Sequence, residues 1–141
     1  MTDKAARLRD LHKAPPILVL PNVWDAVTAR IVEAEGYPAI ATTSAGVAAS
    51  LGYPDGGAVP PREMIEAVAR IARAVTLPVT ADIEHGYATT PDALADVMLR
   101  VIAAGAVGAN IEDCVPGASG LEPLPLQCAK IAAVAKATEK S

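Results

Sequence analysis

The sequence has no phenylalanine, and its aromatic residues are one tryptophan and three tyrosines. A hydrophobic core must therefore consist mainly of small and branched aliphatic side chains, which favours buried strands and close helix packing. The sequence also lacks a long apolar run, and its polar start, MTDKAARLRDLHK, contains neither a signal peptide nor a membrane span. We therefore expect a cytoplasmic protein.

Positive charge is scarce as well. Lysine and arginine total 12 against 16 acidic residues, giving a net charge of -4, and the basic residues form no block. A nucleic-acid-binding or anionic-membrane-binding surface needs clustered positive charge, so neither partner is expected. Small molecules and cations remain. The two cysteines, Cys114 and Cys128, are interpreted as reduced thiols rather than as a disulfide scaffold.

A length of 141 residues suits one domain with a sizeable core. Short apolar runs rich in β-branched residues predict strands buried on both faces. Helical patterns lie between and after these runs. The strands are predicted at residues 16–20, 38–43, 78–82 and 107–113, and the helices from a cap at Asn22 to Glu35, from Pro61, from a cap at Thr90 to Gly105, and from Pro125 to Ala137.

This alternation predicts an α/β fold with parallel strands joined by right-handed crossovers. A (β/α)8 TIM barrel and an open doubly wound sheet both fit about four βα units. A complete barrel needs about 250 residues, so the chain would hold part of a barrel or a small open sheet. In both architectures, chemistry is expected where the strands end.

Acidic residues follow two of the predicted strands. Asp82 and Glu84 are separated by one residue, and Glu112 and Asp113 end the next strand. Residues two apart in extended chain point to the same side. Carboxylates gathered at neighbouring strand ends repel one another unless a cation neutralises them, and Mg²⁺ prefers oxygen ligands. The alternative is that these acids are simply solvated loop residues.

Other polar residues nearby carry weaker signals. His85 is interpreted as an exposed residue or as a neighbour of the ligands rather than a ligand. Cys114 has no nearby lysine, arginine or second histidine to activate its thiol, so an incidental role is expected. Cys128 is expected to pack within the last helix. The stretch from Thr42 to Gly57 has hydroxyls and small residues that could bring backbone N–H groups close to a carboxylate ligand.

Four motifs together resemble the isocitrate lyase/phosphoenolpyruvate mutase family, in the order and spacing of that family. The resemblance covers nearly the whole chain beyond Pro16. The motifs are NVWDA at 22–26, ATTSAGVAASLGYPDG at 41–56, ADIEHGYA at 81–88 and NIED at 110–113.

The resemblance implies a modified TIM barrel, a Mg²⁺ ion and a small 2-oxo or hydroxy acid substrate that passes through a pyruvate-type enolate as a C–C or C–P bond is made or broken. It also implies roles for individual residues. Asp82, Glu84 and Glu112 match the metal-site acids, Thr43, Ser44 and Ala45 match the substrate-binding segment, and Asp55 matches a catalytic acid on a gating segment.

Two departures from the family narrow this expectation. After the NIED motif the chain reads CVPGASGLEPL, without the basic and histidine residues of the isocitrate and 2-methylisocitrate lyases. We therefore favour an oxaloacetate- or phosphonopyruvate-type activity over isocitrate cleavage. The sequence ends at ATEKS, where family members continue, so residues 1–141 are predicted to be one partial barrel domain. We expect a homo-oligomer, and the alternative to an enzyme is a non-catalytic half-barrel.

Overall fold

A computed structural model describes residues 3–13, 15–114, 117 and 120–139. Its parallel strands form one sheet and alternate with helices. The strands are β1 (Asn22–Val23), β2 (Ile40–Thr42), β3 (Val79–Asp82) and β4 (Gly108–Asn110). The helices are α1 (Asp3–Leu11), α2 (Ala26–Ala34), α3 (Ser44–Leu51), α4 (Pro61–Ala74), α5 (Pro91–Ala103) and α6 (Leu124–Thr138).

The strands neighbour one another in sequence order, β1-β2-β3-β4, and every pair is parallel. A doubly wound sheet would reverse its strand order at a switch point, whereas a barrel adds each strand beside the previous one. The predicted α/β class and parallel strands are thus confirmed, and the order matches part of a barrel. None of the helices within the described ranges is long and apolar enough to cross a membrane.

The core lies between the central strands and helices α2, α4 and α5. β2 is buried along its whole length, and α4 buries one apolar face that includes Met64, Val68 and Ile71. Small and branched side chains fill the space, as the composition predicts. One cluster contains Val23, Ile40, Ile71, Val75 and Val79, and a second contains Val68, Ala81, Ile83, Val97 and Val101.

The predicted strand at residues 16–20 is wrong. The first strand is instead Asn22–Val23, which pairs with Ala41 and Thr42. Ile17 and Val19 are 88% and 57% exposed, so the apolar run does not enter the core of the described chain. Burial on both faces is also wrong for β4, which lies at the sheet edge and is only partly buried.

The predicted cap of α2 is also wrong, because Asn22 belongs to β1. Asp25 caps the helix instead. Its Oδ1 accepts a hydrogen bond from the Thr28 backbone N–H at 2.7 Å, and Thr28 Oγ1 accepts one from the Asp25 N–H at 3.2 Å. This reciprocal pair satisfies two otherwise free donors. The predicted cap of α5 is confirmed, since Thr90 Oγ1 accepts from the Ala93 N–H at 3.3 Å.

Helix α3 was not expected from the small residues that follow β2. Thr43 caps it by accepting from the Gly46 N–H at 3.4 Å, and Gly52, with φ +83°, ends it. A threonine and a glycine nine positions apart are cap signals that sequence reading could have used. Only Thr43 separates β2 from α3, so the N-terminus of the helix lies where the strands end.

We predict that Gly86→Ala destabilises the fold more than Gly52→Ala. Both glycines have left-handed backbone, with φ of +81° and +83°. A Cβ at Gly86 would overlap Leu94 Cδ1, whereas a Cβ at Gly52 meets nothing within 4 Å. The shared backbone cost is about 1–2 kcal/mol. Crowding of buried Leu94 should add about 1–3 kcal/mol at Gly86 alone. Urea unfolding measures both, and equal losses would contradict the contact.

Candidate functional site

The two predicted acid pairs lie together at one end of the sheet. Asp82 is the last residue of β3 and pairs in register with Asn110 of β4. Beyond the strands, the Glu112 N–H donates to the Glu84 carbonyl at 2.8 Å. A backbone hydrogen bond therefore joins the segments that carry the two acid pairs.

Asp82 is fixed by the start of α3. Its Oδ2 accepts from the Ser44 N–H at 2.9 Å and from Ser44 Oγ at 2.7 Å. Its Oδ1 accepts from the Glu84 N–H at 3.2 Å, and its own N–H donates to Thr42 Oγ1 at 2.9 Å. The positive end of α3 thus faces the carboxylate. A carboxylate has about four lone-pair positions, so Asp82 keeps capacity for a cation.

The Glu84 carboxylate is buried in surroundings that are unfavourable for an anion. It is 4% exposed, and neither carboxylate oxygen has a hydrogen-bond partner in the described part of the chain. Burial is the main cause that raises the pKa of Glu84, and the charges of Asp55, Asp82 and Glu112 raise it further. The nearby Tyr87 hydroxyl lowers this pKa, although the hydroxyl and the Glu84 carboxylate fall outside hydrogen-bonding geometry. A buried carboxylate without a partner needs a proton or a cation.

We predict that Glu84 makes the metal-free chain less stable as pH rises. Below its ordinary pKa of about 4.5, Glu84 is protonated in the folded and unfolded states. Above that value the unfolded chain releases its proton first, so stability falls until pH passes the raised folded pKa. Glu84→Gln removes this loss and should be more stable than wild type at neutral pH.

Urea unfolding in chelator from pH 4 to pH 8 tests this expectation. Glu35→Gln is the matched control because Glu35 is exposed. The wild type and the control should lose stability over the same pH range, whereas Glu84→Gln should not. A Glu84→Gln variant with the pH dependence of the wild type would contradict the assignment.

The other predicted site residues lie at the start of α3 and in the loop that follows this helix. Thr43 caps α3 and Ala45 is exposed in its first turn. Asp55 is exposed in the following loop, where its Oδ1 accepts from the Gly56 N–H at 2.9 Å. Its charge reaches Glu84 and Tyr87, since it raises the pKa of both. The structure therefore brings the loop after α3 to the same end as Glu84, while Ser44 contacts Asp82 directly.

The acids fit a cation that retains much of its water. In the described ranges no three His, Cys, Asp or Glu side chains are arranged to hold an ion together. Mg²⁺ commonly keeps several waters and takes one or two carboxylates directly. The unpartnered oxygens of Glu84, beside Asp82, are a suitable donor set for such an ion. Glu112 is exposed and could act through water.

His85 lies beside the acids, which matches the interpretation of a neighbour and not that of an exposed residue. Its side chain is 19% exposed, and its Nδ1 is 4.0 Å from Glu84 Oε2. Its ring contacts the Tyr87 ring, with centroids 5.3 Å apart. Burial lowers the pKa of His85, and the Lys130 charge lowers it further.

Cys114 is not an activated thiol. Cys114 is exposed, and its Sγ donates to Glu112 Oε2 at 3.0 Å. That hydrogen bond raises the pKa of the Cys114 thiol, in agreement with the incidental role expected from the sequence. The prediction that Cys128 packs within the last helix is wrong, because it is exposed on α6. Residues 115, 116, 118 and 119, in the segment after Cys114, lie outside the described residues.

Sequence reasoning missed three residues at this end, of which Lys130 is buried and Tyr87 and Glu122 are partly buried. The Tyr87 hydroxyl is buried without a hydrogen-bond partner among the described residues. Lys130 of α6 is 2% exposed, and its Nζ donates to both carboxylate oxygens of Glu122 at 2.7 Å. A lysine within a helix is normally a solvated residue, so periodicity alone has no signal for this pair.

Comparison with known proteins identifies relatives along the whole described fold. A family model for phosphoenolpyruvate phosphomutase matches residues 8–141. An uncharacterised protein of Mycobacterium tuberculosis is 42% identical over 125 residues, which are 89% of this chain and 46% of that protein. An oxaloacetate decarboxylase of Bradyrhizobium sp. is 39% identical over 93 residues, covering 65% of this chain and 32% of the enzyme.

Solved structures show the same relationship. A proposed phosphonomutase of Burkholderia cenocepacia J2315 superposes with a TM-score of 0.94 at 42% identity, over 99% of this chain and 56% of that one. A phosphonopyruvate hydrolase solved with oxalate and Mg²⁺, at 24% identity, shares the fold with a TM-score of 0.90, over 96% and 48%. The chain spans about half the length of these proteins or less, and its four βα units are part of a TIM barrel. The chain belongs to the phosphoenolpyruvate phosphomutase family.

Proposed function

We propose that this end of the barrel binds Mg²⁺ and a small 2-oxo or hydroxy carboxylic acid, and that the whole protein makes or breaks a C–C or C–P bond of that acid. The observation that carries the proposal is Glu84, a buried carboxylate whose two oxygens have no hydrogen-bond partner among the described residues. A cation beside Asp82 and Glu84 would neutralise charge that the protein leaves uncompensated.

The chain's own residues would divide the work at this site. Asp82 and Glu84 would hold the ion, with Glu112 acting through water. The N-terminus of α3, with Thr43, Ser44 and Ala45, would attract the substrate carboxylate through its helix dipole. Asp55, from its exposed loop, would cover the open side. When bound, the cation would stabilise the negative charge that develops on the enolate oxygen.

The state of Cys114 favours an oxaloacetate- or phosphonopyruvate-type reaction over cysteine-dependent cleavage of an isocitrate. A proton-donating cysteine at a lyase site is normally activated by basic neighbours, whereas the Cys114 thiol is bound to Glu112 and has a raised pKa. A 2-methylisocitrate-type lyase remains the second candidate. Incubation of the purified protein with oxaloacetate, phosphonopyruvate and 2-methylisocitrate distinguishes them by the acid that is consumed.

Binding can be tested without knowing the substrate. Oxalate is a planar dianion that resembles the enolate of pyruvate. We expect calorimetry to show Mg²⁺ binding first, and oxalate binding only when Mg²⁺ is present. A chain that binds neither Mg²⁺ nor oxalate would contradict the proposed site and would favour a non-catalytic half-barrel.

Self-association and a cytoplasmic location stay predictions. Exposed apolar side chains before β1 and on α2 favour self-association, because apolar surface of this kind is usually covered. They include Ile17, Val19, Val27 and Ile31, which are 88%, 57%, 66% and 56% exposed. Light scattering after gel filtration should give the mass of at least two chains of 14.4 kDa each. A monomer at all concentrations would contradict the expectation.

A further inference from the structure

Residues 112–114 and 121–122 lie side by side just beyond β4, and we call these two short segments the neck. The Glu122 N–H donates to the Asp113 carbonyl at 2.7 Å, and Cys114 and Leu121 form an antiparallel bridge. The two sides of the neck are therefore joined by the residues that directly follow Glu112. Because Glu112 also donates its N–H to the Glu84 carbonyl, the position of the neck affects the acid cluster.

Helix α6 holds both sides of this neck. Gln127 Nε2 donates to the Glu112 carbonyl at 3.5 Å, and three residues later Lys130 Nζ donates to both oxygens of Glu122 at 2.7 Å. Residues three apart lie on the same face of a helix. A single face of α6 thus contacts both sides of the neck, at residue 112 and at residue 122.

The ion pair between Lys130 and Glu122 is far more buried than an ordinary surface ion pair. Lys130 is 2% exposed, and the Glu122 side chain is 9% exposed. A buried ion pair often stabilises a protein no better than apolar side chains of similar size, so its presence needs another explanation. The Lys130 charge also reaches His85, next to Glu84, and the charges of Glu112 and Glu122 reach the same imidazole.

We propose that Glu122 and Lys130 are positioning residues that hold the neck closed and so keep Glu112 beside Asp82 and Glu84. The pair touches no reacting atom and acts through the backbone of residues 112–114. This inference rests on the proposed function for its effect on Mg²⁺, but the closed neck itself is independent of any ligand. A charged pair is directional and therefore fixes the position of residue 122 against α6, which apolar contacts would not do.

The test uses Lys130→Met, Glu122→Leu and the double variant, with Arg62→Met/Glu66→Leu as a control. The control pair is exposed and has the same charges, with Arg62 Nε 2.9 Å from Glu66 Oε1. The readouts are thermal unfolding, Mg²⁺ affinity by calorimetry and hydrogen exchange of the Glu122 amide. The two apolar residues of the double variant restore neutrality and volume, so they should restore stability.

A positioning role predicts a split between these readouts. The double variant should regain the melting temperature while binding Mg²⁺ about 10- to 100-fold more weakly than wild type, the range found when residues behind metal ligands are replaced. The backbone amide at position 122 should lose protection against exchange. Recovery of Mg²⁺ affinity and amide protection together with stability would overturn the proposal, because the pair would then be structural only.

Failure of the proposed function is a separate outcome. If the wild type binds no Mg²⁺, the metal site is wrong, and amide exchange alone decides the inference. Lower protection of the amide at position 122 in the stable double variant would still support the closed neck. Unchanged exchange would overturn it.

Discussion

Replacing Asp82 by asparagine should weaken Mg²⁺ binding by more than about 100-fold, because the loss of a ligand should exceed the 10- to 100-fold cost of losing residues behind it. Asparagine keeps the size of the side chain and one oxygen that can accept from Ser44. It removes the negative charge that attracts the ion. We therefore expect α3 to remain attached to β3 while the metal site is lost.

The matched control for this variant is Asp92→Asn. Asp92 is an exposed acid in the first turn of α5, so the control removes the same charge away from the proposed site. Screening at ordinary salt makes that distant charge almost irrelevant to the ion. Calorimetric titration with Mg²⁺ measures all three proteins. Equal weakening in both variants would mean that overall charge, and not Asp82, determines the affinity.

Asp82→Ala should differ from Asp82→Asn in stability. The carboxylate accepts three hydrogen bonds, from the Ser44 N–H and Oγ and from the Glu84 N–H. Alanine leaves these donors without their partner, and each buried unsatisfied donor costs about 1–3 kcal/mol. Metal-free urea unfolding should therefore rank wild type above asparagine and asparagine above alanine. An alanine variant as stable as the asparagine variant would contradict the anchoring role of Asp82.

Lys130→Met should destabilise the fold strongly. It leaves the Glu122 carboxylate largely buried without its cation, and breaking a buried ion pair in this way costs about 3–5 kcal/mol. A domain is stabilised by only about 5–15 kcal/mol in total, so unfolding should be measured at low temperature.

Adding Glu122→Leu should recover most of that loss, because the second substitution removes the isolated charge. The exposed pair of Arg62 and Glu66 should contribute at most about 1 kcal/mol, as surface ion pairs do. Urea midpoints of the single, double and control variants decide the matter. A Lys130→Met variant that loses no more stability than Arg62→Met would show that the buried pair is not important for the fold.

The parts of the fold that could be predicted are those with a local physical cause. The stripe of α4 follows from apolar residues at helical spacing, and Thr90 followed by proline is a cap signal that needs no tertiary contact. The misplaced first strand shows the limit of this reasoning. Residues 16–20 have strand composition, but a strand also needs a neighbouring strand, and composition does not reveal where that neighbour lies.

The candidate site divides in the same way. The acids at 82, 84 and 112 are visible in the sequence because parallel strands bring their carboxyl ends to one edge. Ser44 was associated with substrate through a family resemblance, whereas the structure shows its backbone and hydroxyl bound to Asp82. The sequence contains no information on which donor reaches that carboxylate, because the two residues are 38 positions apart.

By itself, the sequence determined the α/β class, the parallel strands, the family and the acidic residues, since these depend on periodicity, cap residues and motif spacing. Only the tertiary structure decided that Glu84 is buried without a partner among the described residues, that Asp82 is held by α3, and that Lys130 forms a buried ion pair with Glu122. The physical reason is burial. The energy of a charge depends on the water and dipoles around it, which residues distant in sequence determine together.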